Sequence, residues 1–297
     1  MKAERKVPAM PVTLSANAKI NLFLDLGGVL KNGYHGIWTV MQSIDLADRI
    51  TVDRTEKGIA VSCSDARIPT GEKNIAYKAA ALFLETVGSD EGVSVCIEKK
   101  IPSQAGLGGG SADAAGTLRA LNVLFGNPLS DRALAKIAFR CGADVPFCLD
   151  GGMGLCQNMG EIIAPLPSLK DVFIVVAKPQ AGVSTAEAYA AYDSAVWVRR
   201  ADREQFLYFA ATGNTPEILR RCSNLFEQFI EVPGRADIKS VMRKYHAKAA
   251  CMSGSGSAVY GIFTDLATAE SCAQELKDIT NDVFVCRPVE SAVIFAN

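Results

Sequence analysis

Residues 18–25 alternate between two kinds of position, with Ala18, Ile20, Leu22 and Leu24 on one face and Lys19, Asn21, Phe23 and Asp25 on the other. A period of two predicts a half-buried strand and points Lys19 and Asn21 the same way. Further strand-like runs cover 37–45, 49–53 and 58–63, separated by turn formers such as Lys31-Asn32-Gly33 and Glu56-Lys57-Gly58. Ala76, Ala80, Phe83 and Val87 recur at helical spacing, which predicts one amphipathic helix starting shortly after Pro69 and Thr70 and covering a sheet face. Val93, Val95 and Ile97 mark another strand. It runs through Pro102 into the segment Ser103 to Ser111, after which Ala114, Leu118, Leu121 and Phe125 keep helical spacing. Strand, glycine-rich loop and helix thus follow in that order. A second helix over about 130–140 has Ser130 as its N-cap and Leu134, Ile137, Ala138 and Cys141 on its apolar face, and ends at Gly142.

Beyond about residue 165 the pattern changes. A wholly apolar strand at 172–177 precedes helical stretches near 184–195, 201–211, 215–230 and 235–246. A strand, a Gly-Ser-Gly turn, the strand Ser257 to Phe263, a helix over 266–279 capped by Asp265 and the strand Val283 to Arg287 complete the chain. The expected class is α+β in two domains, 1–164 and 165–297, with Pro165 and Pro167 at the seam. No Ser/Gly-rich linker separates the halves, so they are expected to pack tightly.

Composition narrows the chemistry. The 31 Lys and Arg balance 32 Asp and Glu, so no net field gathers nucleic acid or anionic lipid, and neither is expected as a partner. The opening residues lack the apolar run of a signal peptide, and no stretch approaches the roughly 18 apolar residues of a membrane span; a soluble, cytoplasmic protein is expected. The nine cysteines form no C-x-x-C and sit mostly in apolar segments, reading as reduced core thiols. His35 and His246 are the only histidines and lack metal-ligand spacing, so any metal is expected to arrive with a substrate.

Gly106, Gly108, Gly109 and Gly110 lie directly ahead of Ser111 and a helix. Unhindered backbone N–H groups and a positive helix end converge there, which outlines an anion-binding site. The segment has neither the Lys of a P-loop nor the spacing of a dinucleotide fingerprint. Close packing of Ala112, Ala114, Ala115 and Gly116 on the sheet is the competing use of the glycines. Asp144 stands among apolar neighbours just past a helix end, where a charge partner would be natural. Taken singly, Asp144 reads equally as a turn aspartate, Lys19 as an edge lysine, Tyr34-His35 as loop residues and Ser253 to Ser257 as a hairpin turn.

Together, Ser15 to Leu22, Pro102 to Ala114, Gly142 to Pro146 and Ser253 to Gly256 stand in the order of the galactokinase, homoserine kinase, mevalonate kinase and phosphomevalonate kinase superfamily. Within it, Gly33-Tyr34-His35, Met41 to Asp48, Gly106 to Ser111 and Gly142 to Phe147 resemble the 4-diphosphocytidyl-2-C-methyl-D-erythritol kinase family. The resemblance implies a two-domain fold: a mixed sheet with helices in the first half, a ferredoxin-like α/β layer in the second. It implies ATP, with Mg²⁺ arriving on it, as phosphate donor, and the 2-hydroxyl of the cytidine-diphosphate-linked methylerythritol as acceptor. By match, Asp144 is the candidate general base with Lys19 beside it, and Gly106, Leu107, Gly108, Gly109, Gly110 and Ser111 wrap the ATP phosphates. Lys99 and Pro102 fall near the adenine, Tyr34 and His35 at the cytosine, and Asn21 and Thr185 at the methylerythritol diphosphate. Gly36, Gln104 and the serines of the late turn depart from the family pattern. The assembly is expected to be a monomer or homodimer. The rivals are a homoserine or mevalonate kinase of the same superfamily, a non-catalytic nucleotide-binding relative, and a fold in which the glycines serve packing alone.

Overall fold

The computed structural model describes residues 10–31, 33 and 35–296; Tyr34 lies outside the described residues. Two sheets organise the chain. The first is built on β1 (Val12–Val29) and β2 (His35–Thr55), an antiparallel pair, and runs β12-β1-β2-β4-β3, with β3 (Ile59–Cys63), β4 (Gly92–Glu98) and β12 (Val293–Phe295). The expected strands 37–45 and 49–53 form a single strand, β2. They look separate in sequence because the β1–β2 register shifts between them, from Asn17↔Ala47 to Ala18↔Ile44. The bulged Asp45 there donates its backbone N–H to the Arg287 carbonyl, and its side-chain Oδ1 accepts from the Arg287 N–H. The two ends of β2 also differ in their outer neighbour: residues 49–55 pair with β4, residues 37–42 with β5 (Met153–Asn158), which pairs in turn with β6 (Ile162–Leu166).

On this sheet lie α1 (Ile75–Val87), α2 (Gly109–Leu124), α3 (Asp131–Cys141) and α4 (Val145–Asp150). Helix α1 starts at Ile75, one residue before the first position of its apolar spacing, and Asn74 caps it, accepting from the Ala76 N–H. Helix α2 packs closely: a Cβ at Gly116 would stand 3.0 Å from Leu14 and 3.2 Å from both Ala16 and Ile50. The small residues of its first turns therefore do serve packing. The half-buried expectation for β1 is corrected here, since every residue from Ala16 to Leu26 is buried on both faces. Asn17, Asn21 and Asp25 are covered from the second half of the chain, and Lys19 by the glycine loop and Asp144, not by solvent.

The second sheet runs β11-β7-β10-β9, all antiparallel, from β7 (Phe173–Lys178), β9 (Ala249–Met252), β10 (Val259–Phe263) and β11 (Asp282–Cys286). With α8 (Arg235–Lys244) and α9 (Leu266–Leu276) packed on it, this is the ferredoxin-like order 4-1-3-2. Between β7 and β9 the chain forms α5 (Thr185–Asp193), α6 (Arg203–Ala211) and α7 (Thr215–Arg220), then β8 (Ser223–Asn224) and a 3-10 turn at 225–228. The helix expected over 215–230 thus stops at Arg220, because Ser223 and Asn224 extend to pair with β1 at Phe23 and Leu24.

That pairing, β12 beside β1 and β6 in the first sheet all cross the expected division at 164/165. The halves are further joined at Asp25, which is buried and held by both Arg200 and Arg203; their guanidinium groups also donate to the Leu26 carbonyl at 2.6 and 2.7 Å. Of the cysteines, Cys96 is exposed on β4 rather than in the core.

Candidate active site

Lys19 is placed by three constraints. Its backbone N–H donates to the Leu107 carbonyl at 3.0 Å, tying β1 to the glycine loop. Its ammonium donates to Asn21 Oδ1 at 2.7 Å, and Asn21 Nδ2 donates to Thr39 Oγ1 at 2.8 Å, which donates to the Phe23 carbonyl at 2.7 Å. Its methylenes pass over Gly108, where a Cβ would stand 3.0 Å from Lys19 Cγ and the φ of +71° disfavours any side chain. The ammonium ends 3.4 Å from Asp144 Oδ2.

Asp144 is the residue before α4 and makes no capping bond with its side chain, so its carboxylate is left for the cleft, one-third exposed against 4% for Lys19. Burial, with the Asp144 charge adding to it, pushes the Cys148 and Cys156 thiols well above their ordinary range and the Tyr189 phenol up to about 12. No thiolate competes with Asp144 as a base or nucleophile.

The glycine loop bends through left-handed Gly106 and Gly108, and no side chain caps α2. Its first N–H groups therefore have no capping partner, as an incoming anion requires. The loop is locked from the second half: Ser253 Oγ donates to the Gly106 carbonyl at 2.8 Å, and the Ala258 N–H to the Ala105 carbonyl at 3.0 Å. A Cβ at Gly106 would lie 2.0 Å from the Ser253 carbonyl, so only glycine permits this contact.

Two chambers meet at this loop. The larger, about 920 Å³, is lined by Lys19, Asn21, His35, Asp144 and Thr185, and the smaller, about 370 Å³, by Lys99, Pro102, Leu107, Gly109 and Gly110. Gln104, Gly106, Gly108 and Ser111 line both.

Two residues of the chamber walls are also bonded within the protein. Asn21 is buried, and both ends of its amide are engaged within the protein, so it holds Lys19. The Lys99 ammonium is enclosed by Asp48 and Asp113, the latter at 2.8 Å, which makes it a strut behind the start of α2. Thr185 opens α5 and shares a hydrogen bond with Ser255 at 3.1 Å. Around His35, sequence reasoning missed three residues of α5: Tyr189 stacks on the imidazole at 5.8 Å, Tyr192 meets its edge at 5.2 Å, and Asp193 approaches Nε2 at 2.6 Å. The available signal was the i, i+4, i+8 spacing of Thr185, Tyr189 and Asp193 on one helix face. Among the described residues, no group of three or more His, Cys, Asp or Glu could hold a metal.

Family models for the GHMP kinases N terminal domain and the GHMP kinases C terminal region match residues 74–152 and 211–281. The 4-diphosphocytidyl-2-C-methyl-D-erythritol kinase of Clostridium beijerinckii is 39% identical over 93% of this chain and 99% of its own length. That of Caldicellulosiruptor saccharolyticus is 41% identical over 94% and 97%. Among solved structures, a 4-(cytidine 5'-diphospho)-2C-methyl-D-erythritol kinase matches with a TM-score of 0.76 at 31% identity, covering 92% of this chain and 98% of that one. A homoserine kinase from Cytophaga hutchinsonii matches with a TM-score of 0.78 at only 21% identity, a likeness of fold alone. With the two chambers, the uncapped helix end and near-full-length identity in agreement, the chain belongs to the 4-diphosphocytidyl-2-C-methyl-D-erythritol kinase family of the GHMP kinases.

Proposed function

We propose that this chain transfers the terminal phosphoryl group of ATP to the 2-hydroxyl of 4-diphosphocytidyl-2-C-methyl-D-erythritol, a step of the methylerythritol phosphate route to isoprenoid precursors. The observation that carries this reading is the Lys19–Asp144 pair, open to a cleft that joins the second chamber at the glycine loop. The nucleotide takes the chamber of Lys99 and Pro102, with its phosphates along Gly106 to Ser111. The cytidylyl group takes the His35 end of the larger cleft and its diphosphate lies toward Thr185. Asp144 accepts the proton of the 2-hydroxyl, the freed oxygen forms its bond to the γ-phosphorus, and the bond to the β-phosphate oxygen breaks to release ADP. Lys19 places its positive charge beside the oxygen where negative charge grows, and the loop amides face the phosphoryl oxygens. The Ser111 hydroxyl and Asp144 carboxylate, both lining the larger cleft, are hard oxygen donors that fit Mg²⁺ carried on the nucleotide. That ion supplies neutralisation of phosphate charge.

Among the described residues no helix is long and apolar enough to cross a membrane. We place the activity in the cytoplasm, on a small-molecule substrate, in a monomer or homodimer. Purified protein assayed with ATP against the cytidylyl substrate, homoserine and mevalonate in parallel tests the reading. Turnover of the first alone is expected, and turnover only of homoserine or mevalonate would overturn it.

A further inference from the structure

His35 lines the large cleft with one ring nitrogen engaged and the other not. Nε2 lies 2.6 Å from Asp193 Oδ1, whereas Nδ1 is buried and has no hydrogen-bond partner among the described residues. An ionised carboxylate only accepts, so the neutral ring must carry its proton on Nε2, which leaves Nδ1 with a lone pair. The ring cannot turn freely to exchange the two, because Tyr189 stacks on it at 5.8 Å and Tyr192 closes its edge at 5.2 Å. All three neighbours come from α5, with Asp193 at its last turn. A buried acceptor kept unpartnered in a cleft wall costs free energy until a donor arrives.

We propose that Asp193 is a positioning residue that fixes the Nε2–H tautomer of His35, so that the cleft selects a pyrimidine with an exocyclic amine over one with a carbonyl in its place. This rests on the cytidylyl reading above. The cytosine amine donates to Nδ1; the uracil carbonyl at the same position would set acceptor against acceptor.

The chain has only two histidines, and His246 is exposed and outside the site, so nitrogen NMR of the histidine-labelled full-length protein resolves both rings. In its neutral state His35 is expected in the Nε2–H form, and in Asp193→Ala as a mixture of tautomers. An Nδ1–H ring in the parent protein, or an unchanged ring in the variant, overturns the role of Asp193 alone. CMP is then expected to shift the His35 Nδ1 resonance and UMP to leave it nearly unmoved. The right tautomer with no response to CMP sinks the cytidylyl reading and the selectivity with it. In kinetics, the kcat/KM ratio of the cytidylyl over the uridylyl substrate is expected to fall roughly 10-fold or more in Asp193→Ala. An unchanged ratio overturns the proposal.

Discussion

Two lysines flank the glycine loop, each beside aspartates, and their surroundings give them opposite work. The Lys99 ammonium is paired with both Asp48 and Asp113, whose side chains are buried, at the wall of the smaller chamber; Asp48 additionally accepts from the Lys100 and Ile101 N–H groups at 2.6 and 2.9 Å. Lys19 has one carboxylate at 3.4 Å, and that carboxylate reaches a cleft. In the first cluster the ammonium is paired with two buried carboxylates, which fixes the strand-to-loop turn. The second holds its ammonium firmly through Asn21 but leaves Asp144 accessible. Residue type alone does not separate the two; the exposure of the partner carboxylate does.

The comparison breaks if the two clusters respond alike to substitution. The largest effect is expected for Asp144→Asn, a kcat loss of about 10²- to 10⁴-fold with binding of an ATP analogue retained by calorimetry; unaltered kcat would remove Asp144 as base. Asp48→Ala is expected to do the reverse, lowering stability by about 3–5 kcal/mol, because Lys99 and two backbone donors lose a buried acceptor. Urea unfolding measures it, and a midpoint equal to that of the parent would show that the cluster is no strut.

The smallest effect sharpens the picture through pH. Burial, followed by the nearby Asp48 charge and only partly offset by Lys99, raises the Asp113 carboxyl to about 8. Its folded value lies above the unfolded one, so its contribution to stability is complete below about pH 4 and is lost as pH rises through about 8. Asp113→Asn is therefore expected to flatten the decline in urea midpoint across that window relative to the parent, and parallel profiles would contradict it.

Much of this was legible in the chain because it rests on local rules. The period of two at 18–25 placed Lys19 and Asn21 together, and the glycine run ahead of Ala112 marked an uncapped helix start. Ser130 and Asp265 do cap their helices. What failed depended on partners distant in sequence. β1 read as half-buried because the groups covering Asn21 and Asp25, among them Ser253, Tyr260 and Arg203, lie more than 170 residues away. Strands β5 and β6 went unnoticed because their places are set by β2, and the stretch 215–230 read as helix because pairing with β1 outweighs its helical spacing.

The sequence by itself determined the main strands and helices flanking the glycine loop, the uncapped start of α2 and the residue types of the site, since hydrophobic period, capping and glycine act within a few residues. Only the tertiary structure decided which lysine meets an open carboxylate, that Asn21 serves Lys19, and that α5 wraps His35. Those outcomes turn on burial and on distances of a few ångströms between segments far apart in the chain, and no local pattern encodes them.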